Sequence, residues 1–400
     1  MKYKQRVLLV HNYYKLPGGE DMVVENEKKL LETYGHTVFI YSRFNKEMET
    51  FSAVEKLLLP FTSLFSLRTY REVKRMIQEK DIDIVHVHNT LNLISPSVYY
   101  AAWACGKPVV QTVHNFRLLC PGAIFLRDGK VCEKCIEDGL RCAVRYGCYR
   151  NSKAQSFMSA AILKLHRFLG TYGRLFYICL TDFNKEKLLL LNQHGKTYIR
   201  EERIFVKPNF VQLPVLEAVR KKEQYLYVGR LENLKGIWIL LEAWKEFPDR
   251  RLLICGSGPE EENIRAYLKK HNIRGVKLMG QLPHEEILRL LAESKGLILP
   301  TMCYEGQPMV ILESYAAGTP VIASDIGNAG SMVVPGVTGL RFSCGDAEAL
   351  REAVLQMEEK RDWDTCSLYR KIYTPERNYE LLLEIYSRAQ REAGKGLGRR

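Results

Sequence analysis

Two carboxylates separated by seven residues frame the most informative stretch of the chain, Glu305-Gly306-Gln307-Pro308-Met309-Val310-Ile311-Leu312-Glu313. The apolar run, continued by Ser314-Tyr315-Ala316-Ala317, predicts a helix, with Glu305 in the loop before it and Glu313 about two turns inside it. A loop acid beside free helix N–H groups is a phosphate-binding arrangement with a carboxylate at its edge. The spacing lets one acid face a sugar while the other reaches a nucleotide. The plainer reading is a surface-loop acid and a solvated helical glutamate.

Arg230 and Lys235 stand five apart in Val228-Gly229-Arg230-Leu231-Glu232-Asn233-Leu234-Lys235-Gly236, a predicted strand-to-helix loop. Arginine offers a planar fork of donors and lysine a point charge, a pair suited to a diphosphate. Their chemical use would be to neutralise charge on a departing nucleotide diphosphate; otherwise they are two solvated basic residues. Gly256-Ser257-Gly258 ends a strand and opens a helix, as a tight turn or as backbone that a phosphate can approach. Gly18-Gly19 offers the same choice near the first strand. His114, in Val113-His114-Asn115, stands at the carboxyl end of an apolar strand, placed to bond a substrate hydroxyl or to serve structure. His86 and His88 alternate onto one strand face. A metal there requires a third ligand that the sequence does not reveal, so they read as packing or cleft-lining groups.

The elements that must position these residues repeat as strand then helix. Strands are expected at Arg6–Val10, Thr37–Tyr41, Ile82–His88, Pro108–His114, Leu175–Leu180 and Ile204–Lys207. The pattern restarts at Gln224–Arg230 and continues through Arg251–Cys255, Val276–Met279, Leu297–Pro300 and Pro320–Ala323. Helices fall between them, as at Ile237–Lys245, Pro259–His271 and His284–Ser294. Alternation of this kind predicts two doubly wound α/β domains, joined near Pro208–Pro214. A terminal helix is expected over Pro375–Arg388, followed by a tail from Gly394 to Arg400.

The bulk numbers agree with two soluble domains: 400 residues, 46% of them hydrophobic. No apolar run approaches the ~18 residues of a membrane span. Met1–Val10 enters a strand without a long apolar leader, so the expected location is the cytoplasm. The net charge of +13 suits acidic small molecules or an anionic membrane face, or simply solubility. Nucleic-acid motifs are absent. Lys56–Tyr70 and Ala154–Leu180 are basic and apolar together; the expectation is amphipathic helices with their apolar side in the core, the alternative a membrane face. Of eleven cysteines, five fall within Cys120–Cys148. Cys132, Cys135, Cys142 and Cys148 have spacings open to a structural zinc, against reduced thiols in a turn-rich insertion.

Taken together and in this order, Gly18-Gly19, Thr112-Val113-His114-Asn115, Gly229-Arg230-Leu231 with Lys235-Gly236, Gly256-Ser257-Gly258-Pro259 and Glu305-x7-Glu313 resemble the retaining glycosyltransferases of the GT-B fold, family-4 (group 1) class. Lys207-Pro208-Asn209-Phe210-Val211 resembles that family's interdomain link. The resemblance implies two Rossmann-like doubly wound domains facing a cleft. It places an acceptor-side domain at 1–207 with a Cys-rich insertion at 120–148, and a nucleotide-sugar domain at 208–374. A terminal helix and tail, 375–400, return to the first domain. It implies that Arg230 and Lys235 clamp the donor diphosphate, that Glu305 faces the transferred sugar, and that the segment of Gly306, Gln307, Pro308 and Met309 offers backbone N–H groups to that sugar or to the phosphates. Glu313 would take the ribose, His114 the sugar near its reacting carbon, Gly19 the diphosphate, and the turn at Gly280 the base. No metal or other cofactor is implied; the donor is a nucleotide-diphosphate sugar, UDP- or GDP-linked. The acceptor is a saccharide or lipid-linked saccharide of surface polysaccharide synthesis. A GT-B epimerase or phosphorylase, or a non-catalytic nucleotide-sugar-binding protein, are the alternatives.

Overall fold

The computed structural model describes residues 4–15, 18–193, 195–212, 219–360 and 362–397. Pro17 of the first loop, Leu213 and Pro214 of the link, and 398–400 of the expected tail lie outside the described residues. In chain order the strands are β1 Arg6–Tyr13, β2 Thr37–Phe44, β3 Ile84–Asn89, β4 Val109–Val113, β5 Leu126–Arg127, β6 Lys130–Val131 and β7 Phe176–Cys179. They continue as β8 Ile204–Val206, β9 Lys222–Val228, β10 Arg251–Cys255, β11 Val276–Gly280, β12 Ser294–Leu299, β13 Val321–Ser324 and β14 Gly339–Phe342.

The chain divides into two compact units, one drawn from Met1–Ala123, Glu133–Pro208 and Asn378–Arg400, the other from Ile124–Cys132 and Asn209–Arg377. The first holds a six-stranded sheet in the order β2-β1-β3-β4-β7-β8, the second one in the order β11-β10-β9-β12-β13-β14. Every pairing within the two sheets is parallel. Both are doubly wound. The winding reverses between β1 and β3 in one sheet and between β9 and β12 in the other, where the loops leaving adjacent strands part and open a crevice.

Period-two alternation explains why the second sheet is covered on both sides. Tyr225, Tyr227, Leu252, Ile254, Ile298 and Ile322 join one core cluster with residues of the helices Ile237–Trp244 and Ala347–Glu359. The intervening Leu226, Leu253, Leu297, Leu299, Val321 and Ala323 join a second cluster with the helices His284–Glu293 and Met309–Ala316. Strands buried on both faces read as continuous apolar runs, which is why they stand out in the sequence.

Three features differ from expectation. The hairpin β5–β6 belongs to the second unit, so the Cys120–Cys148 stretch is not one insertion in the first. Its Asp128-Gly129 turn has both residues at positive φ, the backbone such two-residue hairpins require, and buried Phe125 packs its ring edge-on to Tyr304. The edge strand β14, with Leu340 and Phe342 buried, was not foreseen. The terminal helix runs over Pro375–Leu397, past Arg388 and through Gly394.

From Asn378 onward that helix is part of the first unit. Tyr379, Leu382, Ile385, Tyr386 and Ala389 form its buried stripe at helical spacing. The Tyr379 hydroxyl lies 2.8 Å from His36 Nε2, and Arg203 Nε pairs with Glu392 at 3.0 Å. Among the described residues no helix is long and apolar enough to cross a membrane. The buried stripe predicts that Leu382→Ala lowers stability by about 2–5 kcal/mol. Leu355→Ala, at an exposed site, changes it by less than about 0.5 kcal/mol. Urea unfolding of the two variants checks the contrast.

Candidate active site

In the second unit, the expected residues gather at the carboxyl ends of β9 and β12, on either side of the strand-order reversal. Arg230 is fixed through its backbone: its carbonyl accepts from the Tyr227 hydroxyl at 3.0 Å, and Leu231 N donates to Ser257 O at 3.0 Å. A Cβ at Gly256 would overlap the Gly229 carbonyl, and one at Gly258 the Leu231 carbonyl. The two glycines therefore let the loop after β10 press against the Arg230 loop. The guanidinium itself is 62% exposed, with Glu232 3.4 Å away.

Gly236, at φ 70°, ends the turn that carries Lys235, and a Cβ there would strike the Pro300 carbonyl. Met302 N donates to Leu234 O at 2.9 Å, stitching this turn to the loop after β12. The result is close pairing: Lys235 Nζ donates to both oxygens of Glu305, at 2.6 and 2.8 Å, and the Thr301 hydroxyl donates to Oε1 at 3.0 Å. Burial alone would pull the Lys235 ammonium down, but the Glu305 charge outweighs it and holds its pKa above the ordinary value. Lys235 is thus not a second free cation beside Arg230; it is already neutralised by the acid expected to face the sugar.

Asn328 clamps the following segment, its Nδ2 donating to Glu305 O at 2.8 Å and also to Gly306 O. Gln307 Oε1 accepts from Asn209 N at 2.7 Å, and among the described residues its buried Nε2 finds no partner. Pro308 caps the helix that begins at Met309, so Glu313 lies about one turn inside it, not two. Its buried carboxylate meets His284 Nε2 at 2.9 Å, and that hydrogen bond raises the His284 pKa. Gly280 holds a left-handed turn, φ 69°, whose carbonyl accepts from Gly256 N.

In the first unit, a second cluster forms at the carboxyl ends of β1, β3 and β4. His114 lines a cavity with His88, Asn89, Thr90, Asn115 and Arg117. Gly19 is the first residue of the helix Gly19–Thr33, after Gly18, whose N–H donates to Asp21 at 2.9 Å; Asp21 meets His11 at 2.7 Å. The third partner for His86 and His88, unseen in the sequence, is Glu27. Its Oε1 lies 2.8 Å from His86 Nδ1 and 3.6 Å from His88 Nε2. The three meet the distances of a metal trio, but the Lys207 ammonium donates to Glu27 Oε2 at 3.0 Å and supplies positive charge there. Burial pushes the Glu27 carboxyl up; Lys207 and His86 outweigh it and hold it well below the usual range.

That carboxylate decides the histidine tautomers. His88 Nδ1 and His114 Nε2 are 2.9 Å apart, and burial holds both rings neutral, with His114 lowered to about 3. The Glu27 charge lies 3.6 Å from His88 Nε2, too far for a hydrogen bond, but it favours the His88 proton on that nitrogen, an arrangement that makes Nδ1 the acceptor. His114 Nε2 then donates, and His114 Nδ1 is a bare acceptor.

The four cysteines whose spacing left a zinc site open do not gather as a quartet. Cys120 and Cys135 are free thiols joined by a hydrogen bond, which with burial pushes the Cys135 thiol pKa up; Cys132 belongs to the second unit, and Cys142 Sγ lies 4.0 Å from Asp138. Among the described residues the cysteines take part in no metal-sized trio.

Sequence reading also passed over Glu20. Its carboxyl accepts from the Tyr14 hydroxyl at 2.9 Å, and its buried side chain also meets Asn115 and the Arg117 charge. Burial, joined by the Asp21 charge and only partly opposed by Tyr14 and Arg117, raises its pKa from 4.5 to about 8. The signal was available in Glu27, set between Val23, Val24, Leu30 and Leu31 on the buried face of its helix, but not in Glu20.

Two measurements follow. Histidine-labelled NMR should show His114 protonated on Nε2 and bare on Nδ1 through the neutral range, and Glu27→Gln should remove that bias; a proton on Nδ1 of the wild type contradicts the assignment. Because the folded Glu20 holds its proton more tightly than the unfolded chain, its stabilisation is complete below 4.5 and lost as pH rises through about 8. Glu20→Gln should flatten that part of the melting-temperature profile.

The description "Glycosyltransferase Family 4" matches residues 17–213, and "Glycosyl transferases group 1" matches residues 212–386. A glycogen synthase of Mycobacterium tuberculosis is 36% identical over 136 residues, 33% of each chain. The amylovoran biosynthesis glycosyltransferase AmsK of Erwinia amylovora is 28% identical over 171 residues, 40% of this chain and 42% of its own. The similarity thus spans about a third of the first relative's length. The crystal structure of Anabaena HepE in complex with UDP shares the fold at a TM-score of 0.65 and 15% identity, covering 96% of this chain and 99% of its own. Spanned by the two family matches from residue 17 to residue 386 and built on this GT-B fold, the chain belongs to the group 1 glycosyltransferases.

Proposed function

We propose that this glycosyltransferase moves a sugar from a nucleotide-diphosphate donor to a saccharide or lipid-linked acceptor, with retention of configuration. We place it in surface polysaccharide biosynthesis, working peripherally at the inner face of a membrane. The observation that carries the reading is the Arg230, Lys235, Thr301 and Glu305 set beside a helix N-terminus at the strand-order reversal. Relatives named for glycogen and amylovoran synthesis, and a fold neighbour with UDP bound, support it.

The mechanism follows from the charges. Exposed Arg230 forks onto the diphosphate, and Lys235 turns to it from Glu305. As the bond from the anomeric carbon to phosphate oxygen breaks, negative charge grows on the diphosphate, where the two cations are worth most. Positive charge grows on the sugar, which Glu305 faces. The acceptor oxygen bonds to the anomeric carbon, and its proton passes to the leaving diphosphate. Glu313, oriented by His284, holds the ribose hydroxyls. His114 Nδ1 accepts from a sugar hydroxyl.

Melting curves with UDP, GDP and ADP test the donor site. At about 100 times its dissociation constant the right nucleotide adds roughly 2.7 kcal/mol of stability. Arg230→Ala should erase the shift and lower transfer by about 10²–10³-fold. Glu305→Gln should keep the shift and lose transfer. No shift with any of the three nucleotides would overturn the donor assignment.

A further inference from the structure

The helix Ala53–Leu64 is built inside out. Its start is fixed by a capping box: Glu55 N donates to Ser52 Oγ at 3.3 Å, and Ser52 N donates to the Glu55 carboxylate at 2.8 Å. Val54, Leu57, Leu58 and Phe61 then recur at the spacing that in a surface helix faces the core. All four face solvent, with Leu57 73% and Phe61 66% exposed, and Ser63 is the one buried residue of the helix. The expectation that this apolar side packs in the core is therefore reversed.

A second helix, Lys153–Phe168, lies beside it in the same unit. His166 Nε2 lies 3.2 Å from Leu64 O at the end of the first helix, and Ser63 Oγ donates to Asn92 O at 3.0 Å. Ile162, Leu163 and His166 turn inward, whereas Phe157, Leu165, Phe168 and the adjoining Leu169 face out, Phe168 at 85% exposure. Between the helices runs a groove of about 370 Å³ with an apolar floor of Leu59, Pro60, Met158 and Ile162 and with Lys56 and Arg150 on its lining. Apolar side chains exposed together on two neighbouring helices mark a surface that something covers.

Charge identifies what covers it. The two helices expose Lys56, Lys153 and Lys164 against a single acid, Glu55, whose carboxylate is held in the cap, while Arg167 turns inward to the Leu118 carbonyl. Apolar side chains flanked by cations, on helices that cannot span a bilayer, are what lies flat in an anionic lipid interface. We propose that the helices Ala53–Leu64 and Lys153–Phe168 form the face by which this protein seats on an anionic bilayer. The exposed leucines and phenylalanines enter the acyl boundary, and Lys56 and Arg150 meet lipid phosphates at the groove. This deepens the membrane part of the proposed function and is tested without donor or acceptor.

The experiment is co-sedimentation of the full chain with phosphatidylcholine vesicles, with and without phosphatidylglycerol. The wild type should pellet with the anionic vesicles, less so at high salt. The double variant Leu57→Ser/Phe61→Ser should bind about tenfold more weakly, because two exposed apolar anchors are gone. Lys56→Glu/Lys153→Glu should lose the preference for anionic lipid. These positions are exposed, so melting temperatures and any nucleotide shift should match the wild type. A wild type that stays in the supernatant while responding to a nucleotide overturns the docking face and leaves the transferase reading standing. Equal pelleting of wild type and Leu57→Ser/Phe61→Ser overturns it too. So does a dimer by light scattering that the same variant dissociates, since a second copy would then be the cover.

Discussion

A carboxylate held almost wholly out of water must be met by positive charge, and around Glu27 that requirement organises the first unit. Glu27 is 1% exposed and Lys207 is equally buried. The bond between them joins the first helix to the end of β8. Asn378 accepts from the same ammonium at 3.1 Å, and the Tyr386 hydroxyl reaches His86 at 2.8 Å, so the terminal helix closes over the charge. His88 carries its influence to His114. One buried ion pair thus fixes where the last helix docks and which nitrogen of the site histidine is bare.

The second unit solves its positioning problem with missing side chains. Gly236, Gly256 and Gly258 let three loops approach to backbone contact, and Arg230 and Lys235 ride on those loops. Their backbones are thereby fixed, while the Lys235 ammonium is held by Glu305 and the Arg230 guanidinium stays exposed. Glu305 closes the arrangement and keeps the Lys235 ammonium charged.

Much of this was readable before the structure. The doubly buried strands appeared as apolar runs, and Arg230 and Lys235 share one short loop, so their spacing in sequence is their spacing in space. Glu305 was legible in its own loop before a helix, but its pairing with Lys235, 70 residues away, was not. The first site was harder because its members come from distant segments: Glu27, His86, His88, His114 and Lys207 meet only when four elements pack. The missing third partner of His86 and His88 illustrates this. Helix Ala53–Leu64 misled for a different reason: its apolar period is that of a core helix, and periodicity alone does not say which medium the stripe faces. The Asp128-Gly129 hairpin signal was present and went unread.

The Glu27–Lys207 pair also limits how the sequence can drift. Losing the acid strands a buried ammonium, and losing the base strands a buried carboxylate, so each single step is far costlier than the two together. Positions 27 and 207 should therefore change as a unit, with the histidines and the terminal helix constrained alongside them. A lineage that exchanged the pair for apolar residues would keep a packed interior yet lose the charge that sets the His114 tautomer, which makes residue 27 a marker for whether that histidine still serves the same purpose.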